Sequence, residues 1–345
     1  MKIALTYNIR RAKPNLNDPQ YLKEAEFDEP ATINGMIKAL ETLGHNVFRV
    51  EADEDAYLKL KKIKNKIDLV FNVAEGIKGQ DREAQLPAMM EMLGIPYTGP
   101  RPLSYALGLD KAKAKEIWKK NNVPTPDWVV IKKIKDLKTH LIKKYPVIIK
   151  PLSEGSSKGI EAKNLVKNYH DLWITSKKIF FSLKQSLIIE KFLPGREFTV
   201  AILGTPPKVL PIIEVTFDKL PKGMPKYDHF EAKWIYDSPK NKFDPLICPA
   251  KISESLRKKI EKISLDAFNS LEMKDWARLD LRLDEKGVPN VIEINCPPGI
   301  IPDPAENSRF PRAARAAGYD YNLMIKKILL SAAKRYGIKY KNIIK

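Results

Sequence analysis

Two carboxylates and one amide in the C-terminal part of the chain have the types and spacing of ligands for a divalent cation. Asp280 lies within an apolar segment, and Glu293 and Asn295 lie in a second one after a polar turn at 284–287. Because strand side chains alternate between two faces, Glu293 and Asn295 share a face, and pairing of the segments would bring Asp280 beside them. Mg²⁺ prefers such oxygen ligands. The pattern favours a magnesium site, and the alternative is an exposed hairpin that happens to carry acids.

A lysine followed by a turn of small residues could bind phosphate. Lys150 ends the apolar segment 147–150, and Ser156 and Ser157 follow between glycines. Small residues allow backbone N–H groups to approach phosphate oxygens closely, and the lysine adds a positive charge. The stretch does not match the Walker phosphate-binding loop. A plain turn between two strands is the alternative.

A short segment after the apolar stretch 186–189 could form a hinge that binds the edge of an adenine. Its residues are Glu190, Lys191, Phe192 and Leu193. The backbone and the glutamate of such a hinge can hydrogen-bond the base. Glu197 is close enough in sequence to reach a ribose, and its alternative is an ordinary acid at the start of a strand.

Composition limits the classes of function. A chain of 345 residues with 43% apolar content can bury a sizeable core. No apolar run approaches the roughly 20 residues that a membrane helix needs, and the N-terminus resembles a strand more than a signal peptide. We therefore expect no membrane partner and a cytoplasmic location. Cys248 and Cys296 are too few for a disulfide framework, and the four histidines lack metal-finger spacing, so any metal should bind oxygen.

The formal charge of +19 raises nucleic-acid binding as a function of a different class. The lysines, however, are scattered over segments with helical spacing, such as 59–64, which is typical of solvated faces. No zinc finger, RNP-type strand or recognition helix accompanies the charge. We therefore expect no specific nucleic-acid partner.

The spacing of apolar residues predicts an α/β chain. Strands are predicted at 1–7, 46–50, 68–73, 95–98, 128–131, 147–150, 186–189, 198–203 and 210–215, and helices at 31–43, 83–93, 111–121 and 252–271. The alternation in the first hundred residues is typical of βαβ units. A hairpin is predicted from 277–283 and 290–294, and C-terminal helices from Phe310 onward. The segment 216–249 is rich in Pro, Lys and Asp, which indicates a long functional loop.

Several stretches, taken together and in order, resemble the D-alanine–D-alanine ligase family over residues 67–316. They are LGIPYTGP, LDKAKAKEIWKKNNVPTPDWVV, PVIIKPLSEGSSKGI, IIEKFLPGREFTVAILG, YDHFEAKW, ARLDLRLD, VIEINCPPG and FPRAARAAG. The resemblance implies a three-domain ATP-grasp fold of the α/β (α+β) class, with an N-terminal Rossmann-like domain at 1–103. The two ATP-grasp subdomains would span 104–186 and 187–345, the second with the active-site loop 216–249.

The resemblance also implies roles for particular residues. Those at nucleotide-binding positions are Lys111, Lys150, the turn with Ser156 and Ser157, the hinge 190–193 and the ribose acid Glu197. Those at Mg²⁺ positions are Asp280, Glu293 and Asn295. Arg278 and the backbone of Gly299 match groups that stabilise the oxyanion of a tetrahedral intermediate. Lys233 matches a loop lysine that reaches the transferred phosphate, and Ser308 matches the serine that binds the carboxylate of the second D-alanine.

The activity implied by the resemblance is ATP-dependent joining of a carboxylate to an amine. The carboxylate attacks the γ-phosphorus of ATP to give an acyl phosphate, and the amine then displaces phosphate. The cofactors would be ATP and Mg²⁺, with two ions and with Mn²⁺ as a substitute. The partners would be small amino-acid substrates and a second copy of the chain in a homodimer.

D-alanine–D-alanine synthesis is the leading specific prediction, and a different amino-acid or peptide pair is the alternative. Two functions of other classes stay open, an ATP-binding regulator and a basic nucleic-acid binder. A regulator would not need Arg278 and Lys233 in addition to the metal set. A nucleic-acid binder would show binding that depends steeply on salt.

The region for the first substrate departs from the family pattern. The family's Gly-Gly-x-Ser-x-Glu turn is absent after the first strand, where this chain has YNIRR at 7–11. Counting back from the helix at 31–43 points to Glu26 as the acid that would hold the substrate amine. Glu24 and Glu29 are rivals, and each of the three could instead be a solvated loop acid.

A second departure is the pair Glu75 and Gly76, where the family usually has His-Gly. An acid in place of an imidazole would repel a substrate carboxylate and favour an amine or hydroxyl. Alternatively, Glu75 caps the following turn. Asn72, Arg82 and Glu83 are further candidates for lining this pocket.

A third departure is Trp234, which follows the loop lysine where the family often has tyrosine. The phenol can join a hydrogen-bonded triad with a serine and a glutamate, whereas an indole can only donate. Ser156 matches the serine of that triad. The triad must therefore be remodelled, and Tyr227 is a candidate for the lost hydroxyl.

Overall fold

The computed structural model describes residues 1–13, 15, 18–142, 144–237 and 244–339. Within them the α-helices are α1 (Pro19–Glu24), α2 (Pro30–Thr42), α3 (Ala56–Ile63), α4 (Gln85–Leu93), α5 (Pro102–Leu109), α6 (Lys111–Lys120), α7 (Tyr169–Leu183), α8 (Glu254–Ser270), α9 (Arg309–Ala316) and α10 (Tyr321–Arg335). The strands are β1 (Lys2–Tyr7), β2 (Asn46–Glu51), β3 (Leu69–Asn72), β4 (Trp128–Ile131), β5 (Val147–Pro151), β6 (Leu165–Val166), β7 (Leu187–Lys191), β8 (Glu197–Leu203), β9 (Lys208–Val209), β10 (Ile213–Val215), β11 (Leu246–Ile247), β12 (Trp276–Leu283) and β13 (Pro289–Asn295). These strands form three sheets, and no helix of the described residues is long and apolar enough to span a membrane.

The N-terminal sheet confirms the predicted βαβ units. Its order is β2-β1-β3, and all pairs are parallel. Helix α2 begins at Pro30, whose ring fixes φ and whose missing N–H costs nothing at the first helical position. The helix is followed by Gly44, which has the left-handed φ of +78° that commonly ends a helix. The predicted helix at 83–93 is a 3₁₀ turn, Arg82–Ala84, followed by α4.

The predicted strand at 95–98 is wrong. Only Tyr97 forms a bridge there, in parallel with Val70 of β3. Pro96 lacks the N–H that a longer ladder would need. This segment therefore forms one bridge with the edge of the sheet and does not continue as a strand.

The central sheet is antiparallel with the order β4-β7-β5-β6. Strand β7 extends two residues beyond the predicted segment, so Glu190 and Lys191 lie inside the strand. Although β7 starts where the third domain was predicted to begin, it pairs with β4 and β5 of the central sheet.

The C-terminal sheet has the order β11-β10-β8-β12-β13, with β9 beside β8. The predicted hairpin is confirmed as β12 and β13. Strand β10 is shorter than the predicted 210–215, because Pro211 cannot donate to a ladder and only Ile213–Val215 pairs with β8. The β8–β12 pairing brings the start of β8 next to the middle of the hairpin.

Three helices were not predicted from the sequence: α1, α5 and α7. Helix α1 is less than two turns long, and α5 contains a glycine within an almost wholly apolar segment. Helix α7 is rich in β-branched and aromatic residues, which have modest helix propensity. Its start is fixed by Asn168, whose side chain accepts from the backbone N–H of Asp171 at 2.9 Å.

The loop predicted at 216–249 contains regular structure in its described part. A π-helix spans Glu231–Tyr236, and Asp237 N donates to Ala232 O at 3.0 Å, five residues back. Strand β11 lies near the end of the loop. π-Helical turns are rare and often occur at functional sites, and this one carries Lys233.

A buried aspartate joins three parts of the molecule. Asp275 is fully buried and accepts from Gly99 N at 2.9 Å, Ser331 Oγ at 2.8 Å and Arg335 Nη2 at 2.7 Å. These partners lie after the N-terminal sheet and on α10. The start of β12 is thereby fixed to both.

Candidate functional site

A cleft of about 610 Å³, including its open mouth, lies between the central and C-terminal sheets. Its lining residues are Ile148, Lys150, Ser157, Ile160, Glu190, Lys191, Phe192, Leu193, Glu197, Tyr227, Asp228, Asp280, Arg282, Ile292 and Glu293. The predicted phosphate-binding turn at 153–159 (called here the phosphate turn), the predicted hinge 190–193 and two of the three proposed metal ligands therefore share one cleft. The arrangement follows from strands β5, β7, β12 and β13, which present these side chains to the same space.

The hairpin brings the proposed metal ligands together. Asp280 pairs in register with Glu293, and Arg278 with Asn295. Asn295 Nδ2 lies 3.4 Å from Asp280 Oδ2, and Arg278 Nη2 donates to the same oxygen at 2.9 Å. The other oxygen, Asp280 Oδ1, is buried and has no hydrogen-bond partner among the described residues. This oxygen, with Glu293 and Asn295, fits a divalent cation.

The amide is needed for such a site. Among the described residues no three His, Cys, Asp or Glu side chains form a metal-binding group by themselves. Burial would raise the pKa of Asp280, but Arg278 and then Arg309 oppose it, so the pKa lies well below its usual range. The carboxylate is therefore ionised and able to bind a cation.

Two buried lysines pair with the hinge glutamate. Glu190 lies 3.0 Å from Lys115 Nζ and 2.7 Å from Lys150 Nζ. Although burial opposes ionisation, Lys115 and Lys150 lower the pKa of Glu190 to about 2. Burial lowers the pKa of Lys115 to about 8, against the influence of Glu190. The side chain of Glu190 thus holds two cations at the inner wall of the cleft.

Sequence reasoning missed Lys115, although a signal was present. Lys111 and Lys115 are four residues apart on α6, and residues at that spacing share a helix face. Asp110 fixes the start of this helix by accepting from the N–H groups of Ala112 and Lys113. Lys111 Nζ donates to the backbone oxygen of Glu154 at 2.5 Å and lies 3.4 Å from Glu293.

The proposed ribose acid is held by an arginine that sequence reasoning also missed. Arg282 Nη1 contacts Glu197 at 2.5 Å, and its Nε donates to the hinge carbonyl of Leu193 at 2.6 Å. The guanidinium lies 4.7 Å from the centre of the Phe192 ring. Burial raises the pKa of Glu197 to about 7, which Arg282 counteracts.

The phosphate turn has an unusual backbone. Ser156 and Ser157 have φ of +50° and +59°, the left-handed region that non-glycine residues seldom adopt. Such strain is retained where surrounding structure enforces it and is common at ligand sites. Trp234 Nε1 donates to the carbonyl of Ser156 at 3.0 Å, so the indole acts on the backbone of this turn and not on its hydroxyl.

Residues 227–234 of the loop 216–249 lie against the phosphate turn and the segment after it. Phe230 N donates to Ile160 O at 2.8 Å, and Tyr227 Oη donates to Glu161 O at 2.6 Å. The Tyr227 hydroxyl thus binds a backbone carbonyl and does not contact Ser156. These contacts, with that of Trp234, close the loop over one side of the cleft.

Lys233, Arg278 and Arg309 form a cluster of positive charge, called here the cation cluster. Arg309 Nη1 lies 2.7 Å from Asp228 Oδ2. Burial lowers the pKa of Lys233 to about 8; Asp228 opposes this shift, whereas Arg309 and Arg278 add to it. Sequence reasoning missed Arg309 and Asp228 because nothing local links positions 81 residues apart.

Of the three candidate acids for the first substrate, only Glu26 reaches the phosphate turn. Its carboxylate contacts Arg82 Nη2 at 2.5 Å and accepts from Gly155 N. Glu24 instead accepts from the backbone N–H groups at 11 and 12, and Glu29 pairs with Arg10. Glu26 therefore already has partners within the chain.

Glu75 and Glu83 are half-buried, and neither carboxylate forms a hydrogen bond or ion pair within the described residues. Burial, followed by the charge of Glu26, raises the pKa of Glu83 to about 8. Burial and then Glu83 also raise the pKa of Glu75 well above its usual range. Asn72 is turned inward and donates to Tyr105 Oη at 3.2 Å.

Ser308 and Gly299 lie on one loop before α9. Ser308 Oγ donates to Gly299 O at 3.2 Å and accepts from Ile301 N at 3.1 Å. The hydroxyl thus closes the loop. The oxygen of Gly299 is engaged in that contact.

Comparison with known proteins gives a consistent result. The family model described as D-ala D-ala ligase C-terminus matches residues 117–330. An uncharacterized protein of Sinorhizobium fredii, y4sG, is 33% identical over 310 residues, which cover 88% of each chain. The D-alanine–D-alanine ligase of Nitrosococcus oceani is 31% identical over 307 residues, or 87% of each chain.

The fold has a counterpart among solved structures. The D-alanine–D-alanine ligase from Bacillus anthracis, in complex with ATP, superposes with a TM-score of 0.74 and 24% identity. The match covers 98% of this chain and 99% of that chain. At this identity the likeness concerns the fold, which is the ATP-grasp fold.

Proposed function

Because this chain belongs to the D-alanine–D-alanine ligase family and is an ATP-grasp ligase, we propose that it joins two D-alanine molecules through an acyl phosphate. One observation carries the assignment of the reacting centre. Arg278 and Asn295 pair in register on the hairpin beside Asp280 and Glu293, and these two acids line the same cleft as the hinge. The proposed sites for a nucleotide and for a developing negative charge would thus lie close together. A cytoplasmic location, where ATP is available, is part of the proposal.

In the first step, the carboxylate of one amino acid attacks the γ-phosphorus of ATP, and ADP leaves. The hinge 190–193 and Glu197 would hold the adenosine, and Lys111 and Lys150 would lie near the phosphates. Ser156 and Ser157 would present backbone N–H groups to phosphate oxygens. Lys233 would neutralise charge on the transferred phosphoryl group.

In the second step, the amine of the other amino acid attacks the acyl carbon, and inorganic phosphate leaves with the former carboxylate oxygen. The oxyanion of the tetrahedral intermediate would be stabilised by Arg278 and by the N–H of Gly299. Ser308 would orient the carboxylate of this second substrate. The closed loop 216–249 would keep water from the acyl phosphate.

Asp280, Glu293 and Asn295 would hold Mg²⁺, or Mn²⁺ in its place. When bound, one or two such ions would neutralise charge on the phosphate oxygens. Arg278 remains paired with Asp280 and keeps that carboxylate ionised.

The proposal is tested by phosphate release from ATP with a panel of D- and L-amino acids, singly and in pairs. D-alanine alone should support release and yield the dipeptide. If no amino acid and no pair supports phosphate release, the proposal of a dipeptide ligase is wrong. Electrophoretic mobility of a DNA or RNA duplex at rising salt checks the nucleic-acid alternative in the same preparation.

A second candidate is a ligase of the same mechanism with a different first substrate. Glu26 is already engaged by Arg82, while the carboxylates of Glu75 and Glu83 have no hydrogen-bond or ion-pair partner within the described residues. These carboxylates favour a first substrate with an amine or hydroxyl near Glu75. Within the panel, higher release with such an amino acid than with D-alanine would decide for this candidate.

A further inference from the structure

Arg309 has no role in the reaction described so far, yet it is one of the most buried charges near the site. It is the first residue of α9, it is 6% exposed, and its Nη1 lies 2.7 Å from Asp228 Oδ2. Asp228 lines the cleft together with Asp280 and Glu293. An arginine buried to this degree needs a compensating charge, and Asp228 supplies it.

Asp228 belongs to the segment that carries Lys233. The backbone N–H of Lys233 donates to His229 O at 3.0 Å, so one helical turn connects the lysine to the residue after Asp228. Asp237, on the other side of the π-helix, accepts from Asn307 Nδ2 at 2.5 Å. The start of α9 therefore holds this segment both before and after Lys233.

We propose that Arg309 is a positioning residue for phosphoryl transfer, which fixes Lys233 beside Arg278 through its ion pair with Asp228. The inference rests on the proposed function, since it takes Lys233 to act on the transferred phosphate. The amino group of a lysine lies at the end of a long flexible side chain. It neutralises a phosphoryl group well only when the backbone of the lysine is held in place. Displacement of a catalytic group by about 1 Å can cost on the order of 100-fold in rate.

The test begins with Arg309→Met and Arg309→Lys, assayed by phosphate release with ATP and D-alanine. Arg309→Met should lower kcat about tenfold or more while KM for ATP stays within about twofold, because the hinge and Glu197 are untouched. Arg309→Lys keeps a charge for Asp228 and should recover most of kcat. The double variant Asp228→Asn with Arg309→Met removes both members of the ion pair, so it should fold and still be slow.

A double-mutant cycle shows whether Arg309 acts through Lys233. If it does, Lys233→Met with Arg309→Met should be no slower than Lys233→Met alone. Multiplicative losses would mean that Arg309 acts independently, and the inference would be wrong. A Lys233→Met variant with normal kcat would contradict the proposed function of Lys233 itself.

Arg312→Met is the matched control, since Arg312 joins the same helix to the same loop at Asp244, 2.8 Å away, and donates to Asn307, but forms no hydrogen bond or ion pair with Asp228 or Lys233 within the described residues. Its kcat should stay within about twofold of the parent. An equal loss in Arg312→Met and Arg309→Met would mean general tethering and would overturn the inference.

Hydrogen exchange of the segment 228–233, which excludes the residue held by Asn307, provides a readout that does not depend on the substrate. It should rise in Arg309→Met and not in Arg312→Met. If D-alanine supports no release by the parent protein, the choice of substrate is wrong, and exchange still decides on Arg309. Unchanged exchange in Arg309→Met would then reject the inference.

Discussion

At the scale of single residues, the site depends on charges that are buried in pairs. Glu190 is held between two lysines, and Asp280 is held by Arg278. Each pair keeps a carboxylate ionised where burial alone would protonate it. In the proposed reaction, these charged groups would lie beside the phosphates of ATP and the metal ion.

Asp280→Asn should lower phosphate release at least about 100-fold, because it removes an ionised ligand and its pairing with Arg278. The remaining activity should need a higher Mg²⁺ concentration for half-saturation. Rates are measured across an Mg²⁺ titration. Asp266→Asn, on the exposed side of α8, is the control and should match the parent protein. Parental rates in Asp280→Asn would refute the metal assignment.

The pH dependence should report Lys233, whose pKa is lowered to about 8 by burial. The lysine is charged below this pKa and neutral above it, so kcat/KM for ATP should fall as pH rises through about 8. In Lys233→Arg the guanidinium stays charged, so the alkaline limb should move at least about one unit higher. The test is to measure kcat/KM for ATP between pH 6 and 10 for both proteins. An alkaline limb at the same pH in both would mean that another group, such as Lys115, titrates there.

At the scale of elements, side chains of the loop 216–249 donate hydrogen bonds to backbone carbonyls of the phosphate turn and of the segment after it. Trp234 donates to Ser156, and Tyr227 donates to Glu161. The substitution of an indole for the family's phenol therefore keeps a link between loop and turn, but moves it from a hydroxyl to a carbonyl. The composition of the segment predicted a functional loop. The residues that the loop contacts, Ser156 and Glu161, could be found only in the folded structure.

Trp234→Phe should weaken loop closure while keeping an aromatic ring against Phe230. Loss of one hydrogen bond is worth about 1 kcal/mol, or about fivefold in the opening equilibrium. Hydrolysis of ATP without dipeptide formation should therefore rise severalfold, measured as the ratio of phosphate to dipeptide. Trp173→Phe, on α7, should keep the parental ratio. A parental ratio of phosphate to dipeptide in Trp234→Phe would show that loop closure does not need this hydrogen bond.

At the scale of the whole molecule, the site exists only when three sheets are held in fixed relation. Asp275 contributes to this by binding Gly99, Ser331 and Arg335 at once. Glu26 makes a second link, from the N-terminal part to Gly155 of the phosphate turn. If Glu26 holds the first substrate as predicted, its position would depend on how the N-terminal part packs against the phosphate turn.

Asp275→Asn should destabilise the protein by about 2–3 kcal/mol, because it leaves Arg335 without its charge partner in a mostly buried place. Asparagine tolerates the left-handed backbone at this position, where φ is +63°, so the loss reflects charge and not strain. Urea denaturation followed by circular dichroism gives the difference. The same change at exposed Asp266 should cost less than about 0.5 kcal/mol, and equal losses at both positions would contradict the inferred role.

Features that depend on neighbours along the chain could be predicted from the sequence. Alternation on 290–295 placed Glu293 and Asn295 on one face, and helix signals such as Pro30 and Gly44 marked α2. The stretches that resemble the family led to the predictions of the hinge 190–193 and of Lys233 as the loop lysine. These features are local, so spacing and composition were sufficient to find them.

The contacts between charged groups that are distant in sequence could be found only in the tertiary structure. Arg309 and Asp228 are 81 residues apart, and Glu26 and Gly155 are 129 residues apart, so no local pattern could pair them. The pairing of Lys115 with Glu190 could be recognised only in the fold, where β7 places Glu190 beside the lysine. Ion pairs between distant segments form because burial makes an unpaired charge costly, and burial is a property of the folded molecule.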